Sequence, residues 1–209
     1  YRCMLNFSWR LRASRQLTCT ALLALVAGTW IGASPAVAAT LEGQSFEDTA
    51  VLSERTLRLN GLGLRGVAWV KAFVAGLYLA APTKDSAQVL SMPGPKRLRL
   101  KIMLDAPSHE LTKSLTSRIA RNETEAAQTQ MEERLTRLAA HLDSMGDLHV
   151  GDTVDIDFVP ERGTVLRLNE RFVGTPVVGD DLYRSVLKIF VGDKPVDKRL
   201  KEGLLGGGV

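Results

Sequence analysis

The residue that most needs a chemical explanation is Arg65. It closes the run Asn60-Gly61-Leu62-Gly63-Leu64-Arg65, and Gly66-Val67-Ala68-Trp69-Val70-Lys71-Ala72-Phe73-Val74-Ala75-Gly76-Leu77-Tyr78-Leu79-Ala80 follows. Arg65 and Lys71 carry the only charges in that stretch. A guanidinium in such surroundings must reach water or an anion, because an unpaired buried charge costs on the order of several kcal/mol. The anion is either a carboxylate of the protein or the carboxylate of a ligand, and the residues alone leave both open.

Other chemistry is thinly represented. His109, His141 and His149 lack the close spacing of metal ligands and read as surface or capping residues. Glu132-Glu133 and Asp180-Asp181 fit a helix surface and a helix N-terminus. Asp155 and Asp157 alternate with Val154 and Ile156 and are expected to face solvent. There is no Gly-x-Ser-x-Gly elbow and no phosphate-binding loop. Gly61-x-Gly63-x-x-Gly66 matches a dinucleotide pattern in letters only, since it precedes a strand and not a helix.

The elements that must position Arg65 follow from periodicity. Residues 60–80 read as one or two strands through the centre of a sheet, with Asn60-Gly61 as a turn signal. Read as one continuous strand, alternation puts Arg65, Val67, Trp69, Lys71 and Phe73 on one face. Lys96 to Leu104 alternates basic with apolar residues, so it is expected to turn one face to the core and its basic row to solvent. Thr153 to Phe158 and Thr164 to Asn169 form a hairpin around Glu161-Arg162-Gly163. Helices are predicted over Ser86 to Met92, from Ser108 with Leu111, Leu115 and Ile119 on one stripe, and over Glu123 to Ser144. Two more start near Asp180 and at Asp197. Strands cluster first, then helices, then a hairpin, then helices again. That order argues for an α+β architecture, an antiparallel sheet with helices packed on one face.

Residues 1–38 read as a secretory signal peptide. Arg2, Arg10, Arg12 and Arg15 form a basic start, Leu17 to Ile31 is mostly apolar, and Ala36 and Ala38 suit a cleavage site near Ala38. The apolar run falls short of the roughly 20 residues a spanning helix needs, so no integral membrane segment is expected in the mature chain. The leader holds four of the 27 basic side chains and none of the 23 acidic ones, leaving a mature chain with no net charge. No electrostatic case for nucleic acid remains. Both cysteines, Cys3 and Cys19, lie in the leader, which excludes disulfides and thiolate metal sites from the mature chain. A periplasmic or secreted protein is expected. Its single domain would span residues 39–205, and the glycine-rich tail, 206–209, is expected to be disordered.

Gly63-Leu64-Arg65-Gly66, Gly76-Leu77-Tyr78-Leu79, the hairpin Pro160-Glu161-Arg162-Gly163-Thr164 with Leu168-Asn169, and the ending Phe190-Val191-Gly192-Asp193-Lys194-Pro195-Val196 with Leu204-Leu205-Gly206 resemble one family. It is the exported bacterial branch of the chalcone isomerase-like proteins, and the resemblance spans nearly the whole mature chain in order. It implies an open-faced β-sandwich with a ligand cleft between a large antiparallel sheet and its helices. In that family the plant enzymes close a chalcone into a flavanone by intramolecular addition. Related non-enzymatic members bind fatty acids, whose carboxylate is held by the arginine of this strand, and Arg65 aligns with it.

The other catalytic positions depart from the family pattern. The strand threonine is Phe73, the tyrosine that organises the reactive water falls near Leu111, and the threonine of the last long helix is Ile189. Such a site keeps a cation and loses the hydroxyls that polarise a ketone. The resemblance therefore implies a non-catalytic binder of an amphiphilic carboxylate, either a fatty acid or a porphyrin such as haem, and no other cofactor or metal. Arg65 would hold the carboxylate, and Trp69, Phe73, Leu111, Leu115 and Ile189 would line an apolar cleft. The alternatives are a chalcone-type intramolecular lyase with a rearranged site, in which Arg65 would be the catalytic residue, and a structural or partner-binding protein in which Arg65 pairs with an internal acid.

Overall fold

The computed structural model describes residues 38–67 and 69–207. The expected leader lies outside them apart from Ala38. In chain order the elements are β1 (Ala38–Leu41), β2 (Gln44–Glu47), β3 (Thr49–Leu52), β4 (Arg55–Val67), β5 (Val70–Leu79), α1 (Ser86–Ser91), β6 (Lys96–Ile102) and β7 (Ala106–Pro107). Then follow α2 (Ser108–Asn122), α3 (Glu125–Asp143), β8 (Asp147–Leu148), β9 (Thr153–Val159), β10 (Gly163–Leu168), β11 (Arg171–Val177), α4 (Asp180–Val191) and α5 (Lys198–Leu204). Seven strands form one antiparallel sheet in the order β11-β10-β9-β6-β5-β4-β3. Among the described residues no helix is long and apolar enough to cross a membrane.

The sheet buries both faces differently. Ala75, Leu77, Leu98, Leu100, Val154 and Ile156 point to one side and pack with Leu115 and Ile119 of α2, Leu138 and Leu142 of α3, and Val186 and Ile189 of α4. Val74, Tyr78, Leu57 and Leu62 point to the other side, where Phe46 of the β1–β2 hairpin joins them. Gly76 makes room for the Phe46 ring, because a Cβ there would lie 2.7 Å from its Cδ1. Lys101 Nζ donates to Ser45 O at 2.6 Å and sits 5.1 Å above the same ring.

Asn60-Gly61 is not a turn. β4 runs straight through it with a bulge between Leu59 and Gly61, and the β4–β5 connection lies beyond Val67. A bulge adds one residue to one strand and so reverses which side its later residues face. Leu57 and Leu59 join the hairpin side, whereas Gly61, Gly63 and Arg65 pair with Leu77, Ala75 and Phe73 and so face the helices. Asn60 itself is tied down, its Nδ2 donating to Leu204 O at 2.7 Å and its Oδ1 accepting from Thr83 N at 2.6 Å. The alternating glycines let α5 lie directly on β4. A Cβ at Gly61 would run into the carbonyl of Gly203, and one at Gly63 into that of Leu200.

The rows of charge expected in solvent are buried. Asp155 and Asp157 are each 1% exposed and Arg97 is 4% exposed. Arg97 grips Asp157 through Nε and Nη2 at 2.7 and 2.9 Å, and Arg99 grips Asp155 with the same two distances. Arg167 Nη2 adds a third donor to Asp157 at 2.9 Å. The register explains it, since Arg97 and Asp157 are direct partners across β6 and β9, as are Arg99 and Asp155. Cross-strand bidentate pairs satisfy the carboxylates without water, so this face of the sheet can close over them.

Smaller differences concern helix ends. Pro107, not Ser108, takes the cap position of α2, and the Ser108 hydroxyl donates to Asp143 O at 3.1 Å. α3 starts at Glu125 under a Thr124 cap, because Glu123 is extended and its carboxylate takes Ser185 Oγ at 2.7 Å and Lys188 Nζ at 2.9 Å. The glycine tail is ordered at its start, with Gly206 N and Gly207 N donating to Gly203 O and Glu202 O. Residues 208–209 lie outside the described part.

Candidate functional site

Arg65 reaches the helix-side face near the turn end of the β4–β5 ladder, directly opposite Phe73. Between this end of the sheet and α2 lies a cavity of about 330 Å³, walled by Phe73 and Ile102 from the sheet, Leu111 and Ser114 from α2, Leu104 from the β6–β7 connection and Leu148 from β8. Arg65 is its cation, and Glu110 stands in the wall as well. Behind it is a small inner void of about 40 Å³, bounded by Leu115, Ile156, Ile189, Phe190 and Val196. Arg65, Phe73, Leu111 and Ser114 border both spaces.

The geometry at Arg65 is specific. Nη1 donates to Gly66 O at 3.0 Å and to Asp197 Oδ2 at 3.3 Å. Among the described residues no partner takes Nε or Nη2. The Asp197 contact is a single, long one, with the two side chains 22% and 21% exposed. It contrasts with the bidentate grip of Arg97 on Asp157. Asp197 has a second task, because its Oδ1 accepts from Arg199 N and Leu200 N at the start of α5. One edge of the guanidinium is therefore available for a second planar anion.

Of the residues expected at the cleft, Arg65, Phe73, Leu111, Leu115 and Ile189 come together around these two spaces. Trp69 does not. It lies in the β4–β5 turn and is 90% exposed, because the chain reverses there and does not continue as one strand. Lys71 also leaves the Arg65 face, pairing with Glu42 at the β1–β2 turn. Sequence reasoning missed Ser114, Glu110 and the contact with Asp197. Asp197 is legible as a helix cap, but its reach to Arg65 across 132 positions has no local signature.

The remaining titratable groups fall elsewhere. Tyr78 lies on the hairpin side of the sheet, and burial pushes its hydroxyl up to about 12. Tyr183 donates to Ile156 O at 3.2 Å, and burial raises it well above the ordinary tyrosine value. His109 contacts the neighbouring Glu110 at 3.3 Å, and both are exposed. Among the described residues no group of three or more His, Cys, Asp or Glu side chains is placed to hold a metal ion.

The sequence model for chalcone isomerase-like proteins matches residues 38–206. The chain belongs to the chalcone isomerase-like family. A solved structure of similar fold is the crystal structure of a fatty-acid binding protein from Arabidopsis thaliana, with a TM-score of 0.64 and 18% sequence identity. The match covers 81% of this chain and 96% of that one. No curated protein matches the sequence significantly. In this chalcone isomerase-like chain Phe73, Leu111 and Ile189 all border the space beside Arg65.

Proposed function

We propose that this chalcone isomerase-like chain is an exported, non-catalytic binder of a single-chain amphiphilic carboxylate, a fatty acid in the simplest case. The observation that carries this reading is the half-engaged guanidinium of Arg65 facing an apolar cavity of about 330 Å³. A carboxylate that meets Nε and Nη2 gains two charge-assisted hydrogen bonds, and its alkyl chain removes apolar wall from water. The Arabidopsis protein of similar fold is a fatty-acid binding protein, which agrees with it. The volume sits at the small end of the roughly 300–1,000 Å³ range of ligand pockets. It suits one acyl chain better than the broad plate of a porphyrin, and Glu110 in the wall disfavours a ligand with a second carboxylate.

Native mass spectrometry of the purified protein beside its Arg65→Ala variant tests this. A bound acid in the first that is lost from the second is the expected result. An acid retained by the variant would remove Arg65 from the binding role, and turnover of a chalcone well above its solution rate would replace the binder by an isomerase.

One contact favours a second reading. If the Arg65–Asp197 pair serves only to hold α5 on the sheet, Arg65→Ala lowers the melting temperature and no ligand accompanies the wild-type protein.

A further inference from the structure

We propose that Phe73 and Leu111 shut the inner void off from the acyl chain and so hold the longest chain accepted to what the outer cavity takes, an inference that rests on the carboxylate-binding reading above. The two side chains approach from opposite layers, Phe73 from β5 and Leu111 from α2, and each borders both the outer cavity and the inner void. Arg65 borders both spaces too, so the carboxylate anchor sits at the partition and not at either end. An alkyl chain leaving Arg65 has about 330 Å³ on one side and only about 40 Å³ on the other. It therefore runs outward past Ile102 and Leu148, and the inner void stays beyond its reach.

Both residues are only partly buried, unlike Leu115 and Ile189 behind them, which belong to the closed core. Shortening either side chain joins the two spaces without breaking a hydrogen bond. Apart from Arg65 and Ser114 the walls of the void are apolar, so it is a space that an alkyl group fills favourably. Capacity is set by these two side chains while affinity for the head group is set by Arg65.

Binding of a series of saturated monocarboxylic acids of increasing length to the purified protein tests this, read by calorimetry. In the wild type, affinity is expected to rise about fourfold per added methylene, then to level off once the outer cavity is full. In Phe73→Ala, and separately in the milder Leu111→Ala, levelling off is expected at longer acids, with the short acids bound less than tenfold differently from wild type. Circular dichroism establishes that each variant is folded. Variants that bind the acids but level off at the wild-type length would overturn the partition while leaving the carboxylate reading intact. A wild type that binds no acid of any length would remove both.

Discussion

Arg65 and Phe73 are direct partners across the β4–β5 ladder, so a cation and an aromatic ring enter the same cavity from neighbouring strands. The pairing fixes the height of the guanidinium against the apolar wall. Lysine at 65 keeps the charge but not the planar fork. Arg65→Lys is expected to weaken carboxylate binding by about ten- to a hundredfold, in line with roughly 1.5–3 kcal/mol for a hydrogen bond to a charged group. Titration calorimetry with one fatty acid reads this directly, and an unchanged affinity would show that only charge matters.

Asp197 competes with any incoming anion for Arg65. Asparagine preserves the helix cap while removing the charge, since the two residues are comparable N-caps. Asp197→Asn is therefore expected to tighten ligand binding several-fold, with a melting temperature within a few degrees of wild type. A large drop in melting temperature with no gain in affinity would mark the pair as purely structural.

Gly63 is required where β4 meets α5, because a Cβ would collide with the carbonyl of Leu200. Neither backbone can yield without unseating the helix. Gly63→Ala is expected to cost about 1–3 kcal/mol as overpacking, a fall in melting temperature of roughly 2–4 °C per kcal/mol for a chain of this size. Gly43→Ala is a poor control because of its positive φ, whereas a substitution at exposed Val51 is a neutral one. Thermal melts of Gly63→Ala and Val51→Thr side by side decide the point.

The buried ion pairs behind the sheet make an asymmetric prediction. Removing Asp157 takes away the carboxylate that Arg97 and Arg167 share, leaving them only Asp155 Oδ2 at 3.7 and 3.5 Å, which Arg99 already holds. Asp157→Ala is expected to destabilise by about 3–5 kcal/mol. Replacing Arg97 and Asp157 together by Met and Leu is expected to recover part of that loss, because hydrophobic substitutes for a buried pair are often neutral. Urea unfolding of the single and double variants measures both, and a double variant worse than the single would argue that the charges are needed for pairing register.

Stability at acid pH should depend on Asp181. Arg134 grips its carboxylate at 2.5 and 2.6 Å, and that hydrogen-bonded pair holds the group below its ordinary value. A depressed carboxyl contributes stability that is present above the unfolded value of about 3.9 and is lost as pH falls through the lower folded value. The melting-temperature gap between wild type and Asp181→Asn should therefore be full at neutral pH and shrink below about pH 4. A gap that stays constant through the acid range would exclude this origin.

Much of the architecture was legible in local patterns. The two-residue alternations at Arg97-Leu98-Arg99-Leu100 and Asp155-Ile156-Asp157 located strands β6 and β9. The stripe Leu111, Leu115, Ile119 located the inner face of α2. What alternation cannot say is whether the second face of a strand meets water or another layer. Charged residues on that face suggest solvent, but both carboxylates are taken up by arginines of neighbouring strands, and a partner on another strand leaves no trace beside either residue. Trp69 shares the face of Arg65 only if alternation is unbroken, and the turn interrupts it.

The sequence by itself determined the identity of the cation, the apolar composition around it and the amphipathic helices that would cover it, because these depend on side-chain type and on short-range periodicity. Only the tertiary structure decided which way Arg65 faces. Continued from Leu57 and Leu59, alternation would turn it toward the β1–β2 hairpin, and the extra residue at Asn60 turns it toward the helices instead. That bulge is held by Asn60 bonds to Leu204 and Thr83, distant groups brought together only when α5 docks on β4. Side-chain direction in a strand has a period of two, so a single residue gained or lost through long-range contacts reverses it.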